Sequence, residues 1–373
     1  MPRFLGLGNG SDGVIDLSSY TPLSYSCSGS SGSYSLTATG SFSAGQRLFI
    51  IQSRGSGVGE YEDNQVVSYS PGTVSLLFPL EHTYTDSGAS QAQVIIVKQA
   101  SGVNGSITVP AWNGDVGGVF VMACNGIFNG SVNASGSGYR GASAIDPWLD
   151  AQRADGKHGE GYQGTNYNVD ATVAYVSNAG SGGGGAYNNN ADAGSGGGGG
   201  GHATAGTNGN IGHSTNGSGP GGGGETVGVA NLTSLYFGGG GGSGSTAYNT
   251  DENGGVHSGA GGNGGGIIVV YAGSFSSSAS LVASGAGYAG GGGGGAGGSI
   301  LIKGRSVAVG TSKILAGAGD RGSGGDLVFN SWGGYGGVGR IRIEACSLSG
   351  TTNPGASTAV GGHNYCGVLA GMI

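Results

Sequence analysis

Gly196-Gly197-Gly198-Gly199-Gly200-Gly201 is an unbroken glycine run, with counterparts at Gly182 to Gly185, Gly221 to Gly224, Gly238 to Gly242 and Gly290 to Gly295. Such runs carry no side chains from which to build a core, and glycine loses more backbone entropy on ordering than any other residue. The region is therefore either disordered or ordered by backbone contacts alone. Glycine supplies 92 of the 373 residues, against an ordinary share of ~7%. With 8 prolines and no triplet period, collagen is excluded. Only 9% of residues are charged, whereas disordered chains are usually rich in charge. The composition favours order.

A net charge of -7 and no basic stripe argue against nucleic-acid binding. No apolar run approaches a membrane span, and the amino terminus is too short and too broken by glycine to be a signal peptide. A place on a virion tail or an extracellular surface would then be reached by particle assembly, lysis or an unusual secretion route. Cys27, Cys124, Cys346 and Cys366 show no metal-ligand spacing. Buried free thiols are expected, with Cys346 and Cys366 the one pair to test as a disulfide. No metal or cofactor is expected.

Residues 1–108 read as a β domain. Short β-branched and aromatic clusters at Val14–Leu17, Tyr34–Leu36, Arg47–Ile51, Val66–Tyr69, Val74–Phe78 and Val94–Val97 predict strands of an antiparallel sandwich or barrel. Between two of them, Arg54 to Asp63 gathers Glu60, Glu62 and Asp63. Paired carboxylates suit acid/base chemistry, but a solvated turn is the simpler reading. The run Ala44 to Gly55, followed by Gly59-Glu60-Tyr61-Glu62, Phe78-Pro79-Leu80 and Gln91 to Ile95, resembles the β domain that precedes glycine-rich repeats in bacterial surface and phage tail-associated proteins. That resemblance speaks to architecture rather than activity; an attachment role is expected for residues 1–108.

Residues 109–373 contain a diverged repeat. Gly117-Gly118-Val119-Phe120-Val121-Met122-Ala123 recurs in form from Gly265, from Gly297 and from Gly339. A second motif, Asn133-Ala134-Ser135-Gly136, is matched by Val282-Ala283-Ser284-Gly285 and Ile314-Leu315-Ala316-Gly317. One unit cannot bury its own apolar face, but stacked units can. Residues 142–264 are a large insertion carrying most glycine runs. These runs suit polyglycine II, with three residues per turn and ~3.1 Å rise, each helix satisfied by its neighbours. The predicted fold is all-β with polyglycine II and essentially no α-helix: an N-terminal sandwich or barrel, then a stacked β-repeat domain with packed polyglycine helices.

Runs such as Gly196 to Gly201 and Gly290 to Gly295, separated by variable loops, resemble the polyglycine-sandwich domain of receptor-binding adhesins on T-even-like phage tail fibres. In that family the glycine helices form a lattice and the loops at its end carry host specificity. The resemblance implies a non-enzymatic adhesin. Its partners would be a host cell-surface receptor, glycan or outer-membrane protein, and a tail-fibre or surface-assembly protein. Candidate receptor-binding residues are Trp148, His158 and Tyr162, in the charged and aromatic segment Asp146 to Tyr162 where Trp148 and Tyr162 beside carboxylates suit a sugar-binding platform, and Tyr187, Asn189, His202, His213, Tyr236, Phe237, Tyr248 and His257, between or beside glycine runs. Tyr gives contact area at low entropy cost, and Asn and Ser give adaptable hydrogen bonds. Solvated turns, with the tyrosines capping the glycine slab's apolar edge, are an equal alternative. Gly182, Gly198, Gly222, Gly240 and Gly292 are scaffold candidates. His158 beside Glu160 or Asp155 also raises an acid/base pair, with local salt links the simpler alternative. A self-assembling subunit of a filament or surface coat is the other function class, and homo-oligomerisation stays open.

Overall fold

The computed structural model describes residues 2–144, 155–163, 180–183, 185, 195–210, 219–245, 259–288, 290–322, 332–361 and 366. Among these the sole helix is one 3-10 turn, Leu17–Ser19, capped by the Asp16 carboxylate. The protein is all-β.

Strand β1 (Val14–Asp16) pairs in parallel with a later strand. Strands β2 (Ser24–Ser28), β3 (Ser35–Ala38), β4 (Arg47–Arg54), β5 (Tyr61–Ser70), β6 (Thr73–Leu76) and β7 (Gln91–Asn104) then form an antiparallel barrel. It closes through β4 and β7, where Leu48 faces Ile96 and Ile50 faces Val94. Closure removes the free edges that an open sheet would leave exposed. The interior holds Leu36, Leu48, Ile50, Val66, Val74, Leu76, Val94 and Ile96, each from the alternating inward positions that a period of two dictates.

Strand β7 also belongs to a parallel sheet. Beyond it come β8 (Ser106–Thr108), β9 (Val119–Phe128), β10 (Ser131–Asn133), β11 (Ile267–Phe275), β12 (Ser280–Val282), β13 (Ser299–Ala308), β14 (Ile314–Leu315), β15 (Arg340–Ser349) and β16 (Ser357–Val360). The long strands run in the order β7-β9-β11-β13-β15-β16, and β8-β10-β12-β14 make a second, four-stranded sheet. The ladders cross the 108/109 boundary twice, through β7 with β9 and β8 with β10.

Register follows the sequence motif in the long strands: Val119 pairs with Ile267, Ile267 with Ser299, and Ser299 with Arg340. In the short strands Asn133 pairs with Val282, but Val282 pairs with Leu315 rather than Ile314. The glycines of the third copy suggest the other alignment. Burial decides: Ala134, Ala283 and Ala316 are all fully buried and occupy equivalent positions. One face of the parallel sheet, including Phe120, Ile268, Ile300 and Ile341, packs on Val132, Leu281 and Ile314 of the short strands. The other, including Val121, Val269 and Leu301, packs on Leu7, Phe49, Trp112 and Phe237. A parallel sheet covered on both faces accounts for the continuous apolar runs seen in the sequence.

Of the acid cluster expected in a turn, Glu60 stays there with its side chain exposed beside His82, but Glu62 and Asp63 lie elsewhere. Strand β5 begins at Tyr61, so Glu62 and Asp63 are fully buried on it. Arg47 pairs with Asp63, and Arg3 reaches Glu62 at 3.2 Å. Neither carboxylate faces solvent or the other in a cleft. Cys346 and Cys366 are disulfide-bonded, with Cα atoms 5.5 Å apart, while Cys27 and Cys124 are free and buried.

Candidate functional site

The glycine segments lie beyond the amino ends of the long strands. Gly196 and Gly199 donate to Asn210 and Thr207, Gly197 and Gly200 to Gly291 and Gly294, and Gly198 and Gly201 to Gly183 and Gly180. The same run accepts from Gly221 and Gly224, from Gly334 and Gly337, and from Gly242 and Gly239. It therefore has six neighbours, and each is addressed at every third residue. Gly293, Gly294, Gly295, Ala296, Gly297 and Gly298 repeat the pattern, donating to Gly242, Gly334, Ala286, Gly239, Gly337 and Ala283 in turn. Backbone polar groups that would otherwise be buried unpaired are satisfied between segments, which is how a region without a side-chain core can be ordered.

One end of this lattice continues into strands: Gly266 precedes β11, Gly298 precedes β13 and Gly339 precedes β15. The register of the hydrogen bonds fixes the other end. Gly156 donates to Gly185, Ser245 to Ser195, Gly244 to Gly259, Asn210 to Trp332 and Gly322 to Gly292. All these residues are at the end away from the sheet. Trp148, Tyr187, Asn189, His213, Tyr248 and His257 lie outside the described residues.

The remaining candidates occupy other positions. Phe237 is buried between Trp112 and Tyr139, with ring centroids 5.3 and 5.2 Å away. Tyr236 is half-buried against Tyr162 at 6.3 Å, and its backbone is held by the Ser299 hydroxyl. These rings sit at the sheet end of the lattice and join it to the barrel. His158 is buried, its Nδ1 has no hydrogen-bond partner, and burial pushes its pKa down. Gly182, Gly198, Gly240 and Gly292 are buried within the lattice; Gly222 is half-buried at its margin.

Glu160 is the polar centre of this joint. Its carboxylate receives Arg54 Nη1, Arg140 Nε at 2.9 Å, and Trp112 Nε1 at 3.2 Å. Burial pushes its pKa up, but the Arg140 hydrogen bond and charge, with Arg54 behind them, outweigh that and hold it below the ordinary range. A carboxylate so held keeps no proton to donate, and the arrangement is an ion-pair node rather than an acid/base pair with His158.

His202 is fully buried, with Nδ1 donating to the Gly297 carbonyl at 2.7 Å and Nε2 unpartnered. Burial lowers its pKa to about 4 from 6.5. The folded state therefore refuses a proton that the unfolded chain accepts below pH 6.5, so stability falls as pH drops from 6.5 towards 4. A loss of about 2 kcal/mol by about pH 5 is expected. Urea denaturation at pH 7 and pH 5 measures it, and His202→Asn should flatten the profile in this range. An unchanged wild-type midpoint would mean that the ring is solvated.

Missed in the sequence were Trp332 and Tyr335, which stand on the lattice margin three residues apart. A three-residue period applied to Trp332-Gly333-Gly334-Tyr335 would have placed them on one side. No family model matches the chain, and no curated protein matches it.

Proposed function

We propose that the protein is a non-enzymatic receptor-binding adhesin of a phage tail fibre or similar particle, in which packed polyglycine II helices form a rigid platform on a stacked β-repeat. The observation that carries this reading is the lattice itself: a glycine run with six backbone-bonded neighbours, each met at every third residue, set on the amino ends of β11, β13 and β15. The period-three hydrogen bonding supports polyglycine II. Loops on a rigid scaffold are the usual place for recognition. The barrel at the amino end is the attachment module, and a host cell-surface glycan or protein is the partner.

Labelled protein should bind whole cells of a susceptible bacterial strain. Replacing residues 246–258 with a Gly/Ser linker is expected to reduce that binding about tenfold or more, with the denaturation midpoint unchanged, since anchors near the centre of an interface carry most of its energy. Binding unaffected by exchange of this segment and of 211–218 would sink the display reading. A self-assembling filament subunit is the second reading. It is favoured by β16, which is the last strand of the parallel sheet among the described residues, with Val360 exposed. Polymerisation of the purified protein would select it.

A further inference from the structure

We propose that Arg321, Trp332 and Tyr335 form a carbohydrate-binding site selective for carboxylated sugars; the inference rests on the adhesin reading and names a receptor chemistry for it. The carbonyls of Trp332, Tyr335 and Val338 accept in turn from Asn210, Thr207 and Ala203, so these three residues share one orientation on their segment. Gly333, Gly334, Gly336 and Gly337 between them are buried, whereas Tyr335 is exposed and Trp332 half-exposed. The hydroxyls of Thr204 and Thr207 accept from the Val338 and Tyr335 N–H groups, fixing the backbone beneath the rings. The platform is therefore rigid before any ligand arrives, which lowers the entropic cost of binding.

Arg321 comes from the neighbouring segment and lies over both rings, its guanidinium carbon 4.4 Å from the Trp332 centroid and 4.9 Å from that of Tyr335. Arg3, Arg47, Arg54 and Arg140 each face a carboxylate. Arg321 has no carboxylate partner and no hydrogen bond among the described residues. Its nitrogens are also absent from the buried unpartnered atoms, so its donors reach solvent. A guanidinium braced on aromatic faces keeps its planar donor fork oriented, and that fork matches a carboxylate in two parallel hydrogen bonds. The exposed surface of Tyr335 and the half-exposed surface of Trp332 beside it offer apolar area to the C–H face of a pyranose. Aromatic area, a fixed cation and flanking hydroxyls together fit an acidic sugar better than a neutral one.

The test uses the full chain with trigalacturonate, sialyllactose and a glucuronate disaccharide, each beside its methyl ester, in titration calorimetry. At least one acid should bind about tenfold or more tightly than its ester, the range for a charge-assisted hydrogen bond. Arg321→Gln should remove that preference, Arg321→Lys should restore part of it, and Trp332→Ala should weaken acid and ester alike. No binding by any of the acids, equal binding of acid and ester, or a preference surviving Arg321→Gln would overturn the site. Binding to cells stripped of glycans that still depends on Arg321 would overturn it in favour of a protein partner. Wild-type protein that binds an acid but no cells would instead overturn the adhesin reading and leave the site standing.

Discussion

Replacing Gly198 with valine is expected to unfold the glycine lattice, lowering stability by about 4 kcal/mol or more. Gly198 is in the run with neighbours on all six sides, and a Cβ added there would fall on the carbonyl oxygen of Gly222, with the Gly222 carbonyl carbon and the Gly221 oxygen close behind. These are backbone atoms, so no rotamer change can move them aside. Ordinary overpacking of a side-chain core costs about 1–3 kcal/mol because neighbours yield. Here the segment must shift bodily, breaking bonds to Gly183 and from Gly242 as it does so. Each buried amide or carbonyl left unpaired adds about 1–3 kcal/mol. Gly355→Ala is the control: nothing lies within 4 Å of its Cβ position, and the expected change is within about 0.5 kcal/mol. Urea denaturation of both variants checks the pair, and a Gly198→Val protein as stable as the Gly355→Ala one would show that the run is not enclosed.

The same physics explains which parts of the structure were legible in the sequence. Long β-branched runs such as Arg47–Ile51 and Val94–Val97 read as strands because burial on both faces leaves an unmistakable apolar signal. Strand β2 was missed: in Ser24–Ser28 only Cys27 is fully buried, so a strand held mainly by ladder hydrogen bonds leaves little trace in composition. Glu62 and Asp63 were read as surface because their arginines are remote in sequence and only the fold brings Arg3 and Arg47 to them. The glycine runs announced a backbone-ordered region, but not its polarity. Which end of a run faces the sheet depends on partners such as Gly291 and Gly183, and a residue without a side chain carries no mark of them. For that reason Tyr236 and Phe237, adjacent to a glycine run, read as displayed residues although Phe237 closes a core with Trp112.

Glu160→Gln is expected to destabilise the protein by about 3–5 kcal/mol at pH 7, the cost of removing one partner from a buried ion pair. The side chain is 1% exposed and Arg54 13%, so solvent screens that pair little; Arg140, at 38%, adds less. Glutamine keeps the shape and can still accept from Trp112, which isolates the charge as the cause. The pH profile gives an independent readout. The folded-state pKa is held below the ordinary carboxylate value, so the unfolded chain takes up a proton first as pH falls. The contribution is complete above the unfolded pKa of 4.5 and disappears as pH drops through the lower folded value. The wild type should therefore lose stability below about pH 4.5 by an amount that the variant does not. Arg54 belongs to β4 of the barrel, Trp112 to the approach to β9, and Glu160 to the lattice. Loss of this node should accordingly loosen the lattice against the barrel, and hydrogen exchange should rise first at Gly240, whose N–H bonds the Glu160 carbonyl, and at Arg140. If exchange and stability in Glu160→Gln match the wild type at pH 7, the ion pairs contribute nothing and the joint is held by Phe237 and Tyr139 packing alone.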